Sequence, residues 1–303
     1  MDTLDEKVAY ERFLYGYEKE IVINDMEFCL DRIVILPQIR PHKLELAVRL
    51  SIQYCLKADF KKEFLAKSIK CPVLIFQLFK RGVFVFEEIK PYLESVNAFL
   101  LSYYFRKEID NFDIFIQNKT KPSFFDETFI ENPNNIDLLI EYGFWPSSIE
   151  YCLKYDDIDE LQSINIMEQV VKWSPFEWSF KPSFYDVLAF SGFFGSIKCF
   201  KFLLMNGFVI ETGVISMVVC SGCLDIVHMC SIQEFINDNI CYLAIEFCQP
   251  LVLEFMIENG ANLNKDKILQ STQLHSASEF GHLSIVEYLV NRKADINEKD
   301  ILV

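Results

Sequence analysis

The sequence predicts an all-α protein in which helical hairpins stack into a solenoid, preceded by a more divergent helical domain. Of the 303 residues, 51% are apolar, whereas glycine and proline contribute only 10 residues each. This apolar content supplies a large core, and the shortage of turn-forming residues favours helices joined by short loops over many-stranded sheets. A repeated segment in the C-terminal third is the third observation behind this prediction.

Two segments near the C-terminus, residues 241–264 and 274–297, align with each other without gaps. The residues that both segments share are Ala244, Glu246, Phe247, Glu254, Ala261 and Asn264, which recur as Ala277, Glu279, Phe280, Glu287, Ala294 and Asn297. Corresponding residues are 33 positions apart, which is the period of ankyrin repeats.

The second copy resembles the ankyrin consensus over most of its length. Residues 272–275 read Thr-Gln-Leu-His, with glutamine where the consensus has proline, and Gly281 with His282 forms the predicted turn between paired helices. The resemblance implies a hairpin and two short antiparallel helices in each unit. Such a unit has too little apolar surface to fold alone, so neighbouring units complete its core.

The same pattern continues upstream in a weaker form. Gly195 and Gly222 take the place of Gly281 in two earlier units, and only 27 residues separate them, so the second unit is predicted to be shortened. The predicted repeats cover residues 185–210, 213–233, 238–264 and 271–297. We place them together in a domain that spans residues 181–303.

Residues 1–180 are predicted to form the divergent helical domain. Residues 44–55 place their apolar side chains on one stripe at helical spacing. Gly82 and Gly143 each follow an apolar pair by a short interval, as the glycine at the end of a repeat does. Degenerate helix pairs and an unrelated helical domain both explain this pattern.

Three stretches, residues 148–159, 173–178 and 191–200, resemble the large trichomonad-type protist ankyrin-repeat families. The resemblance implies an N-terminal helical region of unassigned function and C-terminal ankyrin repeats, with no established biochemical activity. Members of those families usually carry several more repeats, whereas this chain stops at Val303, just inside the next predicted hairpin.

Charge and composition predict the compartment and exclude some partners. The formal charge is −15, and an acidic surface repels the phosphate backbone of nucleic acids. The first residues are charged and lack the apolar core of a secretory signal. No uncharged apolar run reaches the ~18–20 residues of a membrane helix. We therefore expect a cytoplasmic protein that binds neither nucleic acid nor membrane, and whose cysteines are reduced thiols.

The sequence contains one arrangement that fits metal or thiol chemistry. Cys220 and Cys223 form a Cys-x-x-Cys pattern with His228 and Cys230 downstream, and sulfur and imidazole ligands suit zinc. The spacing after His228 is wrong for a zinc knuckle, so packed thiols are the preferred interpretation and a zinc- or thiol-dependent module is the alternative. Phosphate-binding glycine loops and nucleophile motifs are absent from the sequence. We expect no cofactor, metal or catalytic residue, with an unrecognised enzyme in the N-terminal half as a further alternative.

The family resemblance implies a concave face, built from hairpin tips and from first-helix residues before the glycine turn, that binds another protein. The residues carried over to this face are Phe193, Phe194, Glu246, Phe247, Ile268, Leu269, Ser271, Glu279 and Phe280. The aromatic rings would serve as rigid anchors for a neutral or basic partner of an adaptor or scaffold protein. In the alternative, these rings pack between repeats or beneath an overlying segment such as residues 173–178.

The last helix pair is expected to present an apolar outer face that includes Val286, Tyr288, Leu289 and Val290. A terminal repeat normally has a polar outer face. We therefore expect a partner or a second copy of the chain to cover this face, unless the chain is a fragment of a longer array.

Overall fold

A computed structural model describes residues 33–34, 44–55, 61–122, 125, 136–168, 171–176, 186–231, 235–261, 273–279 and 282–297. Within these ranges all regular secondary structure is helical, which confirms the predicted all-α fold class. The chain divides into two compact units. Unit 1 contains residues 1–143 and 174–180, and unit 2 contains residues 144–173 and 181–303.

Unit 1 contains seven described helices. Their bounds are α1 Leu44–Cys55, α2 Lys61–Ser68, α3 Pro72–Lys80, α4 Phe86–Leu93, α5 Phe99–Tyr104, α6 Phe112–Gln117 and α7 Ile136–Tyr142.

Helix α3 shows how the local sequence sets these boundaries. Pro72 occupies the first helical position, where its missing N–H costs no hydrogen bond and its fixed φ suits a helix. Leu74, Ile75 and Leu78 form its buried stripe. The helix ends just before Gly82, whose φ of 72° lies in the left-handed region that glycine adopts without steric cost.

Aromatic side chains form much of the core of unit 1. The ring of Phe105 lies 5.8 Å from that of Phe76, 5.2 Å from that of Phe79 and 6.2 Å from that of Phe86. The buried hydroxyl of Tyr104 donates a hydrogen bond to the carbonyl oxygen of Phe176 at 3.1 Å. The high phenylalanine content is therefore used for packing here.

Unit 2 consists of helix pairs in which a first and a second helix follow one another closely. The pairs are α8 Ile149–Tyr155 with α9 Ile158–Leu161, α10 Val187–Phe194 with α11 Ile197–Met205, α12 Thr212–Ser221 with α13 Leu224–Met229, α14 Asp238–Glu246 with α15 Pro250–Glu258, and α16 Gln273–Glu279 with α17 Leu283–Asn291.

The turn inside a pair is made by a residue with left-handed backbone. This residue is Gly195 after α10 and Gly222 after α12, with φ of 69° and 73°, as the repeat pattern predicted. After α8 and α14 the same conformation is held by Asp156 and Cys248, with φ of 56° and 51°. The left-handed conformation of the turn is thus present even where the residue is not glycine.

The hydrogen bond that closes these turns also recurs. The residue after the turn donates its backbone N–H to the carbonyl five residues earlier in four pairs, as in a Schellman motif. These bonds are Asp157 to Cys152 at 2.9 Å, Ser196 to Ser191 at 3.0 Å, Gln249 to Ala244 at 2.7 Å and His282 to Ala277 at 2.8 Å.

Consecutive pairs stack on each other, first helix against first helix and, from α9 to α15, second against second. Polar bonds accompany this stacking. Gln249 Nε2 donates to the carbonyl of Cys220 at 2.6 Å, and His282 Nε2 lies 3.3 Å from the carbonyl oxygen of Glu246. Ser196 Oγ donates to the carbonyl of Leu153 at the corresponding place. The solenoid therefore uses side chains just after the turn to join one pair to the previous pair.

The pair α8 and α9 lies upstream of the four repeats that the sequence predicts. It packs on α10 and α11, and the Asp156 carboxylate accepts hydrogen bonds from the backbone N–H groups of Lys198 and Cys199 at 3.2 and 2.9 Å. The structure thus groups residues 144–173 with the repeats. The assignment of residues 1–180 and 181–303 as domains stays a prediction.

Candidate binding surface

The aromatic residues predicted as anchors lie at the ends of first helices, and two of them are buried. Phe193 in α10 is 3% exposed and Phe247, directly after α14, is 1% exposed. A partner cannot reach these two rings in this arrangement. Phe194 is half-buried, so part of its ring remains accessible.

Trp173 accounts for much of the burial around α10. Its ring centroid lies 4.6 Å from that of Phe190, 5.4 Å from that of Phe193 and 5.9 Å from that of Phe194. This is the arrangement of the alternative that the sequence left open, in which an overlying segment covers the aromatic side chains. The rings here stabilise the fold, whereas a binding role for Phe194 stays a prediction.

Two acidic residues of the predicted face occupy equivalent positions in successive first helices. Glu246 at the end of α14 is half-buried, and burial raises the pKa of its carboxyl group. Glu279 at the end of α16 is exposed. The remaining predicted residues, Ile268, Leu269, Ser271 and Phe280, lie outside the described residues.

Exposed aliphatic side chains lie at or after the ends of second helices, at positions that the sequence did not predict as partner contacts. Met167 is 69% exposed, Val209 71% and Ile296 68%, and each lies in the segment that leaves a helix pair. Met205, the last residue of α11, is 85% exposed. We call Met167, Met205, Val209 and Ile296 the loop row. Met167 lies in the short 3-10 helix Ile166–Glu168 and Met205 inside α11, so the four residues share only their place near the end of a helix pair. Single exposed apolar residues are ordinary on a protein surface.

The sequence contains a feature that could have predicted Val209 as an exposed residue. Val209 comes two residues after Gly207, whose φ of 90° ends the second helix. In the last pair the left-handed position is held by Lys293, with φ of 67°, and Ile296 follows it. An aliphatic residue shortly after the second-helix turn would have identified these two positions.

The cysteine arrangement gives no support to the zinc or thiol alternative. Cys220 and Cys230 are buried, and His228 is exposed with its ring centroid 4.9 Å from that of Phe255. Burial raises the pKa of the Cys230 thiol to about 12 and also raises the pKa of Cys220, so both stay protonated at neutral pH. Across the described ranges, no three side chains of His, Cys, Asp or Glu converge as metal ligands would.

The exposure of residues in the last helix pair agrees only in part with the predicted apolar outer face. Leu289 is fully buried, so the expectation that it faces outward is wrong. Val290 is exposed, and Val286 and Tyr288 are half-buried. Coverage of this end by a partner or a second copy stays a prediction.

Among the helices of the described ranges, none combines the length and the apolar character needed to cross a bilayer.

One comparison with known proteins, the match to a family model, supports the interpretation of unit 2. A family model described as ankyrin repeats (3 copies) matches residues 187–300. The ankyrin repeat domain of human ASB11 is similar in structure, with a TM-score of 0.38 and 16% sequence identity, over 52% of this chain and 88% of that one. No curated protein matches the sequence. The family-model match supports ankyrin-type repeats over residues 187–300, and repeats of this kind generally mediate protein–protein interaction.

Proposed function

We propose that this chain is a non-catalytic adaptor or scaffold, and that unit 2 binds a partner protein through the loop row and the accessible parts of the first-helix ends. The single observation that carries the proposal is the exposure of Met167, Met205, Val209 and Ile296. Exposed apolar side chains supply contact area that is costly to leave in water.

The position of the loop row within the stack supports this proposal. First helices pack on first helices along unit 2, so the described residues that follow successive pairs, such as Val209, belong to a repeating stack. A partner lying along this stack would contact several pairs at once. The buried rings of Phe193 and Phe247 then support the surface from inside and do not contact the partner.

The absence of catalysis is part of the proposal and rests on the roles of particular side chains. Of the three described histidines, His282 contacts the carbonyl of Glu246 and His228 packs against Phe255. A cytoplasmic location is also proposed, because Cys71, Cys220 and Cys230 are buried thiols outside any disulfide, as in proteins of reducing compartments.

Affinity capture with matched variants tests the proposal. The tagged full chain is compared with Val209→Asp, Ile296→Asp and Ile114→Asp in lysate of its native cells, and captured proteins are quantified by mass spectrometry. Ile114 in α6 is 65% exposed and belongs to unit 1, so its variant removes an equally exposed apolar side chain elsewhere.

We expect at least one partner to be reduced about tenfold or more by Val209→Asp or Ile296→Asp, since a charge placed in the centre of an interface costs at least about 1.4 kcal/mol. The same partner should be retained by Ile114→Asp. Identical partner lists from all four proteins would remove the loop row as the binding surface.

A further inference from the structure

An asparagine followed by a glycine ends two of the second helices of unit 2. Asn206 directly follows α11, and Asn259 directly follows α15. Both asparagines are exposed, and so are the glycines after them, Gly207 and Gly260. In this dipeptide the backbone nitrogen of the glycine can attack the side-chain amide, because glycine has no Cβ to hinder the approach. The two helix ends are therefore candidate sites of a covalent modification.

The modification is deamidation through a cyclic imide. The glycine nitrogen forms a bond to Cγ of the asparagine, the bond between Cγ and Nδ2 breaks, and the amide proton leaves with Nδ2 as ammonia. Water then opens the succinimide, placing its hydroxyl on a ring carbonyl and returning a proton to the nitrogen. Opening at Cγ gives aspartate, and opening at the backbone carbonyl gives isoaspartate. The net reaction consumes water, releases ammonia and involves no oxidation or reduction.

The backbone of the folded helix ends opposes this reaction. Ring closure requires the glycine nitrogen to lie on the side of the asparagine Cβ. The ψ angles of 12° at Asn206 and 17° at Asn259 instead turn it toward the asparagine's own nitrogen. The attacking nitrogen is also engaged, since Gly207 donates its N–H to the carbonyl of Leu204 at 3.1 Å. Gly260 donates in the same way to the carbonyl of Ile257 at 3.1 Å.

The side-chain amides are held by hydrogen bonds as well. Nδ2 of Asn206 donates to the carbonyl of Phe202 at 2.8 Å, and Nδ2 of Asn259 donates to the carbonyl of Phe255 at 2.7 Å. Reaction therefore needs rotation about ψ of the asparagine, which breaks the hydrogen bonds of the last helical turn. Helix ends open locally at a lower free energy than the whole protein unfolds, so the reaction remains possible in the folded chain.

We propose that Asn206 and Asn259 are sites of spontaneous deamidation, and that opening of the ends of α11 and α15 sets its rate. The product does not restore the closed end. Its carboxylate replaces the Nδ2 donor at the negative end of the helix dipole, and isoaspartate adds a methylene to the backbone just before the left-handed glycine. The modification goes beyond the proposed function, because it marks irreversibly a repeat whose helix end has opened.

Timed incubation of the full chain at mildly alkaline pH, in native buffer and in urea, tests the inference. Deamidation is followed by peptide mass spectrometry, and isoaspartate is detected by enzymatic methylation. Asn118 is the matched control, because it directly follows α6, is exposed and donates from Nδ2 to the carbonyl of Ile114 at 3.4 Å, but precedes a lysine. Leu203→Val and Met256→Val reduce fully buried side chains at corresponding positions of α11 and α15, and circular dichroism checks that both variants fold.

We expect Asn206 and Asn259 to deamidate at least about tenfold faster than Asn118 in urea, where only the residue after the asparagine distinguishes the sites. In native buffer the reaction at both sites should be at least about tenfold slower than in urea but still measurable. Leu203→Val should accelerate the reaction at Asn206 and leave Asn259 unchanged, and Met256→Val should do the reverse.

Three outcomes would overturn the inference. Equal rates at all three asparagines in urea would remove the two sites. Equal rates in native buffer and in urea, or no reaction in native buffer, would show that opening of the helix ends does not set the rate. Acceleration of both sites by either variant would show that the two ends do not open separately. The capture experiment is independent of all three, so the proposed function stands or falls without them.

Discussion

Gln249 joins two successive helix pairs through the backbone of Cys220. Its Nε2 donates a hydrogen bond to the carbonyl of Cys220 at 2.6 Å, and its Oε1 occupies the space that a Cβ on Gly222 would take. Gly222 is thus needed for two reasons, its φ of 73° and the side chain packed over it. The turn of one pair and the polar contact from the next pair depend on the same residue.

Gly222→Ala should destabilise the protein more than Gly207→Ala. Both glycines have positive φ, which costs about 1–2 kcal/mol for an L-residue. At Gly207 a Cβ meets nothing within 4 Å, whereas at Gly222 it displaces the Gln249 amide. The lost bond leaves a buried carbonyl unpaired, which adds about 1–3 kcal/mol. Urea denaturation followed by circular dichroism measures the difference.

Gln249→Ala removes the displaced amide and serves as the companion variant. In the Gln249→Ala background, Gly222→Ala and Gly207→Ala should lower the free energy of unfolding by about the same amount, because the positive φ is then the only cost of either substitution. A cost of Gly222→Ala that stays equally large without Gln249 would contradict the proposed role of this contact.

Glu246→Gln should stabilise the protein at neutral pH. Burial raises the pKa of the Glu246 carboxyl group, so the folded state favours the protonated form. Stability from this group is fully present below the unfolded pKa of about 4.3 and is lost as the pH rises through the higher folded pKa. Glutamine removes that loss, and we expect a melting temperature about 2 °C higher at pH 7.

The pH dependence of this difference is the critical measurement. At about pH 4 the wild-type carboxyl group is protonated in the fold, so the two melting temperatures should converge. Glu279→Gln changes the equivalent but exposed residue of α16 and should have little effect at either pH. A stabilisation by Glu246→Gln that is as large at pH 4 as at pH 7 would contradict the burial argument.

The turn residues show how far the sequence could predict the fold. Gly195 and Gly222 are glycines in left-handed turns, so their spacing identified the helix pairs. Cys248 and Asp156 adopt the same conformation without being glycine. Cys248 could be aligned through its neighbours, whereas Asp156 could not, and the four predicted repeats therefore do not include the pair α8 and α9.

The candidate surface was harder to predict because residue type does not determine burial. An aromatic residue before the turn serves equally well as a partner contact or as packing. Phe193 is buried because its ring contacts that of Trp173, which lies 20 residues earlier in the sequence. Val209 shows the reverse case. It is an ordinary aliphatic residue in the sequence, and only the exposed loop after α11 makes it a candidate contact.

Cys223 should react with a thiol reagent before the buried cysteines of its neighbourhood do. It is half-exposed, whereas Cys220 and Cys230 are buried with raised pKa values. Thiolates are the reactive species, so burial and a raised pKa both slow the reaction. Labelling of the native protein with iodoacetamide at pH 8, followed by peptide mass spectrometry, should modify Cys223 first.

Two controls define this experiment. Cys223→Ser should remove the fast modification from its peptide, and urea should bring Cys220 and Cys230 to comparable rates. Rapid modification of Cys220 in the folded protein would show that its thiol is accessible. That result would support the alternative of a zinc- or thiol-dependent module.

Asp156→Ala should weaken the junction between α8 and α11. The substitution removes the acceptor of the backbone N–H groups of Lys198 and Cys199, a capping interaction of about 1 kcal/mol, and places alanine at φ of 56° for about 1–2 kcal/mol more. We expect a loss of about 2–3 kcal/mol in urea denaturation. Asp156→Asn keeps an acceptor oxygen and tolerates the left-handed backbone, so it should retain most of the stability.

Hydrogen exchange shows where that loss acts. If α8 and α9 belong to the repeat stack, Asp156→Ala should speed amide exchange in residues 149–161 and 197–205 together. Asp159→Ala removes a nearby exposed carboxylate and should leave both segments unchanged. Faster exchange confined to residues 149–161 would mean that this pair is not coupled to the repeats, and the loop row would then begin at Met205 and not at Met167.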